Sequence, residues 1–148
     1  MIKHNKTYEF DIPNISFGVL SENKLNTLSK DGRYASPFME EYLPVWFPKL
    51  KRVLGNKDHD HIDPDGVYYD AKNFTKNGLQ FMPSNQIGAG RSYDAKATEE
   101  KAKKLVYICC DITSFPKVRV KFVPGKQLFK TYPKAKVPFH ERDSFFGE

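Results

Sequence analysis

The apolar positions after residue 35 recur at helical spacing, and this pattern predicts a helix that starts at Ser36 and Pro37. Serine caps the first turn of a helix, and proline at the first helical position gives up no hydrogen bond. The predicted helix extends through Leu43. Pro44 and Pro48 then kink the helix or split it in two, with a second piece over residues 45–54, because proline inside a helix removes a hydrogen bond and crowds the preceding turn.

Further along the chain, turn residues and short apolar runs predict strands. The sequence Asp63-Pro64-Asp65-Gly66 predicts a β-hairpin turn, because proline presets one backbone angle and glycine supplies a positive φ. A continuous apolar run over 105–112 is typical of a strand buried on both faces. The other predicted elements are an edge strand or arm from Thr7, a strand over 67–74, a loop over 75–91, a helix over 93–104, a strand over 117–123 with one solvent-exposed basic face, a helix over 125–132, and an unassigned tail after Pro138.

The order of these elements predicts the fold class. Helix, hairpin, helix, buried strand and final strand together indicate an α+β protein with a mixed sheet flanked by helices. The length of 148 residues predicts one domain with a substantial core. Within it we expect an N-terminal arm or edge over 1–35, a core over 36–123 and a basic C-terminal extension over 124–148.

Charge and composition narrow the classes of function. The net charge of +6 and the pI near 9.2 favour a polyanionic partner. The chain has no apolar run near the ~20 residues that a membrane span needs, and residues 1–6 lack the apolar segment of a secretory signal. Cys109 and Cys110 are adjacent in a predicted strand, so they point to opposite faces and are poorly placed for a disulfide. We therefore expect a reduced, cytoplasmic protein with no membrane partner.

The predicted hairpin brings chemically useful side chains together. Asp70 and Lys72 are two residues apart in a strand and share a face. If the loop takes three residues, Asp60 lies opposite Asp70, and if it takes two, Asp60 lies opposite Tyr69. Two carboxylates ~5 Å apart suit Mg²⁺, which takes one or two carboxylates and keeps several waters. A neighbouring lysine favours formation of hydroxide, so the pattern predicts a metal site able to hydrolyse a phosphodiester.

Two other interpretations of this segment stay open. The acidic residues Asp63 and Asp65 belong to ordinary turn chemistry, and an Asp-x-Lys pair in a strand also occurs as a surface ion pair. The run Asp58-His59-Asp60-His61 allows a transition-metal site, because histidines two apart on a strand share a face.

The hairpin residues also resemble a known family, the PD-(D/E)xK nuclease superfamily. The likeness is greatest to type II restriction endonucleases of the PvuII kind, and the matching residues are Asp60, Asp63, Gly66, Tyr69, Asp70 and Lys72. The resemblance implies a restriction-endonuclease-like sheet flanked by helices, with Asp60 and Asp70 as metal ligands and Lys72 as the residue that positions water. It also implies Mg²⁺ as cofactor, with Mn²⁺ as a substitute.

The family adds two alternatives about the acidic residues. Asp63 competes with Asp60 as the first ligand, because related nucleases have the shorter spacing. An acidic residue from the preceding helix often joins the site, and Glu40 or Glu41 is placed to supply it.

A nuclease of this size must contact DNA from the same domain. The loop after the catalytic strand offers Asn85, Gln86 and Arg91 for contacts with bases or phosphates. Basic residues on a later strand and towards the C-terminus offer phosphate contacts. The strand residues are Lys117, Arg119 and Lys121, and the C-terminal ones are Lys126, Lys130, Lys134 and Lys136.

The resulting hypothesis is a Mg²⁺-dependent restriction endonuclease acting on double-stranded DNA. A homodimer is expected, with one site for each strand of a symmetric duplex. The alternatives are a junction-resolving or repair nuclease, and a basic nucleic-acid-binding or phage interaction protein without catalytic activity.

Overall fold

The structure is a computed structural model that describes residues 2–13, 17–55, 59–83 and 90–147. The helices are α1 (Glu22–Leu28), α2 (Gly32–Trp46), α3 (Ala95–Ala102), α4 (Gly125–Thr131) and α5 (Arg142–Phe146). The strands are β1 (Thr7–Asp11), β2 (Lys51–Arg52), β3 (His61–Ile62), β4 (Tyr68–Phe74), β5 (Leu79–Gln80), β6 (Leu105–Asp111), β7 (Lys117–Pro124) and β8 (Lys136–Val137). Within these ranges, no helix has the length and apolar character needed to cross a membrane.

A mixed sheet forms the centre of the fold, and the predicted α+β class is confirmed. Its six strands lie in the order β1-β7-β6-β4-β3-β2, and β5 and β8 form a separate two-stranded sheet. In the larger sheet β4 and β6 are parallel, and the other neighbouring pairs are antiparallel. Parallel neighbours need a crossover connection, and α3 lies in the segment that makes it.

Hydrophobic cores cover both faces of this sheet. The first core joins α2 to one face and includes Met39, Leu43 and Cys110. The second core covers the other face with α4, β5, β8 and α5, and it includes Phe74 and Cys109. The two cysteines thus lie on opposite faces, as predicted, and both are free thiols. Burial raises the pKa of the Cys109 thiol to about 12, so this thiol stays protonated.

The predicted start of the main helix is wrong. Helix α2 begins at Gly32, because the Asp31 side chain accepts a hydrogen bond from the Arg33 N–H and caps the first turn. Both Pro37 and Pro44 lie inside the helix. The second predicted helix, over 45–54, is also wrong, since α2 continues to Trp46 and a short strand follows.

Several short elements fall where none was predicted. Ser21 caps helix α1 inside the segment expected to be an arm. Strand β5 lies in the predicted loop and pairs with β8, and α5 lies in the unassigned tail. Phe145 and Phe146 of α5 are buried in the second core, so the C-terminal segment packs against the sheet. The predicted edge strand at Thr7, the helix over 93–104 and the strands over 105–112 and 117–123 are confirmed within about two residues.

Candidate active site

The hairpin of β3 and β4 carries the two acidic residues singled out in the sequence. His61 pairs with Tyr69 in the register of the two strands, which leaves residues 64–66 as the loop. The Asp60 N–H donates to the Tyr69 carbonyl oxygen at 2.8 Å, which is one residue out of this register, so Asp60 does not pair directly with Asp70. The loop takes three residues, but the regular pairing ends at His61. The Asp60 side chain still reaches the Asp70 carboxyl.

The carboxyl groups of Asp60 and Asp70, here called the acidic pair, lie beside two ammonium groups. Asp70 is only 6 % exposed. Its Oδ2 atom lies 3.3 Å from Lys72 Nζ and 3.7 Å from Lys101 Nζ. Lys72 is not oriented to donate a hydrogen bond and Lys101 is too far away, so this buried oxygen has no hydrogen-bond partner among the described residues. Asp60 Oδ2 accepts the Ala71 N–H at 2.9 Å, which holds the Asp60 side chain against β4.

The environment of Asp70 disfavours its charged form. Burial raises the pKa of Asp70 to about 6, and the two lysines only partly oppose this. The neighbouring Asp60 carboxyl contributes in the same direction as burial, through a hydrogen bond and through charge repulsion. A further positive charge at the acidic pair would therefore stabilise the ionised form, and a divalent cation would supply it.

Lys101 is the site residue that the sequence analysis missed. It lies on α3, on the helix face that carries the buried residues Thr98 and Ala102. Residues three or four apart share a helix face, so the spacing from Thr98 to Lys101 indicated that this lysine turns towards the sheet. The sequence could not indicate which strand residue it meets. That partner is Asp70 on β4.

Asp63, the alternative first metal ligand, is held in the turn. Asp63 Oδ1 accepts the N–H groups of Asp65 and Val67, at 2.9 and 3.0 Å. Asp63 Oδ2 accepts the Tyr69 hydroxyl at 2.7 Å. Tyr69 belongs to the core on the α2 side of the sheet, whereas Asp70 faces the other side. The structure therefore does not bring Asp63 to the acidic pair.

Glu40 and Glu41, the predicted acidic residues from the helix, also lie apart from the acidic pair. Glu40 Oε2 is 2.6 Å from Arg52 Nη2, and Glu41 pairs with Nη1 of the same arginine. Helix α2 covers the face of the sheet opposite to Asp70. The two glutamates turn away from the acidic pair because β2 brings Arg52 next to both of them.

The two histidines of the proposed transition-metal site have other roles. His61 is fully buried, and its Nε2 lies 3.3 Å from the Glu40 carbonyl oxygen, which Pro44 leaves without its usual helical donor. Burial lowers the pKa of His61 and favours the neutral ring. His59 stacks on Tyr68. Asp58 lies outside the described residues, and within them no group of three or more His, Cys, Asp or Glu side chains is placed to hold a metal.

The residues predicted to contact DNA lie in different surroundings. Asn85 and Gln86 lie outside the described residues, and Arg91 is exposed. The expected solvent-exposed basic face of β7 is wrong for Arg119 and Lys121, because α5 covers it. Arg119 Nη2 lies 2.8 Å from the buried Asp111 carboxylate, and Lys121 Nζ donates to the Phe145 carbonyl oxygen at 2.6 Å.

Comparison with protein-family models, curated proteins and solved structures found no significant match. The likeness to PD-(D/E)xK nucleases therefore depends on the hairpin residues themselves.

Proposed function

We propose that this protein is a Mg²⁺-dependent endonuclease that hydrolyses phosphodiester bonds in double-stranded DNA, in the manner of type II restriction enzymes. The observation that carries the proposal is the acidic pair with Lys72 on one face of the sheet. The buried Asp70 oxygen that lacks a hydrogen bond supports it, because native proteins rarely leave such an atom unsatisfied without a functional reason.

The acidic pair suits a hard divalent cation. Asp60 and Asp70 would hold Mg²⁺ through carboxylate oxygens, and two carboxylates suffice because this ion keeps several of its waters. The unbonded Asp70 Oδ2 is the oxygen best prepared to act as a ligand. When bound, Mg²⁺ supplies electrostatic stabilisation of the negative charge that develops on the phosphate.

The lysines supply the remaining functions. Lys72 lies within 3.3 Å of the Asp70 carboxylate, so its ammonium group is placed to hold a water molecule and to favour its deprotonation. Lys101 brings a second positive charge from α3, which suits a phosphate oxygen of the substrate. Both side chains are about one-fifth exposed, so their charges are only weakly screened by solvent.

The proposal includes DNA recognition by the same domain. The net charge of +6 favours binding to a polyanion. Contacts from Asn85, Gln86, Arg91 and Lys117 remain predictions. A homodimer would place one acidic pair at each strand of a symmetric site.

The test is incubation of supercoiled plasmid with the protein and Mg²⁺. We expect discrete fragments, and we expect Lys72→Met to slow cleavage on the order of 10²–10³-fold, because one positioned donor is lost. Lys76→Met is the matched control, since Lys76 is exposed two residues beyond β4. Asp60→Ala should abolish cleavage and Asp63→Ala should preserve it. Unchanged cleavage by Lys72→Met would refute the proposed site.

A second candidate is a nucleic-acid-binding protein that does not cleave. It is favoured by one observation: two lysines already pair with Asp70, and no third acid joins the acidic pair within the described ranges. Binding of duplex DNA without nicking, in either Mg²⁺ or Mn²⁺, would establish this alternative. Cleavage confined to branched DNA would instead indicate a junction-resolving nuclease.

A further inference from the structure

A second charged cluster lies at the other end of the same sheet face, around a cavity of about 240 Å³ that opens to solvent. Arg119, Arg142 and Lys117 line it. The cavity is separate from the acidic pair: it lies beside Asp111, which pairs with Phe74 in the sheet, four residues along β4 from Asp70. Four residues of strand span roughly 13 Å. Binding in this cavity is therefore independent of the proposed nuclease function.

One guanidinium group of this cavity is held rigidly. Asp111 is only 1 % exposed, and its Oδ2 accepts hydrogen bonds from Arg119 Nε and Nη2 at 3.0 and 2.8 Å. Its Oδ1 accepts the N–H and the hydroxyl of Thr113. The Arg119 guanidinium also lies over the Phe146 ring, 5.1 Å from its centroid. These contacts preorganise Arg119 without using Nη1, which has no acceptor in the described part of the chain.

The second guanidinium is placed next to the first. Arg142 lies over the Phe139 ring at 5.3 Å and donates from Nη1 to Thr113 Oγ1 at 3.0 Å. Its Nε donates to Asp143 Oδ1 at 3.2 Å, and Arg119 Nη2 lies 3.3 Å from the same oxygen. One carboxylate oxygen therefore bridges the two arginines. The Asp143 side chain is 78 % exposed, so it can turn away into solvent.

We propose that this cavity binds a phosphate group, and that Asp143 occupies the place of one phosphate oxygen until the ligand displaces it. With Asp143 turned away, Arg119, Arg142 and Lys117 face the cavity, and Ser114 adds a hydroxyl. A phosphate oxygen would take the bridging position between the guanidinium groups, which bind phosphate strongly in this way.

The acidic residues of the cavity limit the positive charge that it offers. Glu9 lines the cavity from β1, and its carboxylate disfavours a ligand that carries a second negative charge. Both oxygens of the Asp111 carboxylate already accept hydrogen bonds. The phosphate can come from a nucleic-acid backbone or from a free phosphate ester, since both present the same oxygens.

The experiment measures thermal unfolding of the full chain in sodium phosphate and in sodium chloride of equal ionic strength. For the wild type we expect the unfolding midpoint to rise with phosphate and not with chloride. Arg142→Gln should weaken phosphate binding about tenfold, because hydrogen bonds between charged groups are lost. Asp143→Asn should tighten binding, because the competing carboxylate is gone. Lys24→Gln, which removes an exposed charge on α1, should behave as wild type.

A cluster that merely attaches α5 to the sheet would give a different result. In that case Arg142→Gln and Asp143→Asn would both lower stability, and the response to phosphate would be the same in all four proteins. That outcome would overturn the proposal. The proposal can still be tested if Arg142→Gln folds poorly, because tighter phosphate binding by Asp143→Asn is expected only of a ligand site.

A second measurement distinguishes the two sources of phosphate. Binding of a duplex oligonucleotide is measured at fixed salt in EDTA, which removes divalent cations. Weaker duplex binding by Arg142→Gln identifies the nucleic-acid backbone as the ligand. Unchanged duplex binding, together with weaker binding of inorganic phosphate, identifies a free phosphate ester. Neither result depends on cleavage, so failure of the nuclease proposal leaves this inference testable.

Discussion

Asp70 and Asp111 lie on the neighbouring strands β4 and β6, face the same side of the sheet and are both buried, yet their surroundings differ. Asp111 receives hydrogen bonds from Thr113 on one oxygen and from Arg119 on the other. Asp70 has two ammonium groups near one oxygen, but that oxygen accepts no hydrogen bond within the described residues.

This difference separates a structural charge from a functional one. A buried carboxylate costs little when both of its oxygens are hydrogen-bonded and a guanidinium balances its charge. A carboxylate that is buried beside a second carboxylate and left short of donors destabilises the fold. Such a cost is retained where a ligand later relieves it. The comparison therefore assigns Asp111 to the stability of the sheet and supports Asp70 as a ligand-binding group.

The largest expected effect concerns the structural pair. Arg119→Met leaves Asp111 buried and uncompensated, and we expect it to lower the free energy of unfolding by about 3–5 kcal/mol. Urea denaturation provides the measurement. Arg33→Met removes an exposed partner of Asp31 and serves as control, with little change expected. A loss as small as that of the control would mean that Asp111 does not need its guanidinium.

The next largest effect is an increase in the free energy of unfolding, on replacing Asp70. Asp70→Asn should stabilise the metal-free protein at neutral pH, on the order of 2–3 kcal/mol, because the amide carries no charge to bury and can donate to Asp60. The pKa of Asp70 rises from 3.8 in the unfolded chain to about 6 in the fold. Its charge therefore destabilises the fold increasingly as the pH rises from about 4 to 6.

Urea denaturation across this pH range measures the effect of Asp70→Asn. The two proteins should differ least below about pH 4, where Asp70 is protonated in both the folded and unfolded states. Asp111→Asn is the variant for comparison, and it should destabilise the fold at neutral pH because the ion pair with Arg119 is lost. A variant Asp70→Asn that is less stable than wild type at pH 7 would contradict the comparison.

A smaller effect is expected from the cation itself. Mg²⁺ at ten times its dissociation constant should stabilise the wild type by about 1.4 kcal/mol through mass action. The gain should disappear in Asp70→Asn, in which Asp111 is still present. Thermal unfolding with Mg²⁺, against sodium chloride of equal ionic strength, gives the comparison. An equal gain in both proteins would place the cation elsewhere.

The smallest effect tests whether α3 positions Lys101. Asp94 caps this helix by accepting the Ala97 N–H at 3.1 Å, and Asp94→Ala should cost about 1 kcal/mol. Loss of the cap should also raise the pKa of Asp70 further, because Lys101 is held less firmly. Ser21→Ala removes the cap of α1 and is the matched control, with no change at Asp70. Carboxyl titration by NMR provides the measurement, and an equal pKa in both variants would exclude the role of α3.

Local chemistry explains what was predictable before the structure. The turn Asp63-Pro64-Asp65-Gly66 uses Asp63 as a side-chain acceptor and Gly66 at φ +81°, and both preferences depend on neighbouring residues alone. The sequence left open whether this loop takes two or three residues, and the structure gives three, with regular pairing up to His61 and Tyr69. The continuous apolar run of β6 predicted a strand covered on both faces, because a strand whose successive residues are all buried has an uninterrupted apolar sequence.

The start of α2 was a local error, because the Asp31 side chain caps the helix five residues before Ser36. Other predictions were wrong or missing because they depended on distant partners. Pro44 is tolerated inside α2 because His61 lies next to the Glu40 carbonyl oxygen. The strands β5 and β8 are two residues each, too short for any periodicity, and are held by pairing with each other.

The sequence by itself determined the hairpin and the shared face of Asp70 and Lys72, because turn chemistry and strand alternation act over a few residues. Only the tertiary structure decided that Lys101 joins Asp70 and that Arg119 is bound by Asp111 under α5. Those contacts link residues far apart in the chain, and their energies depend on which elements pack together.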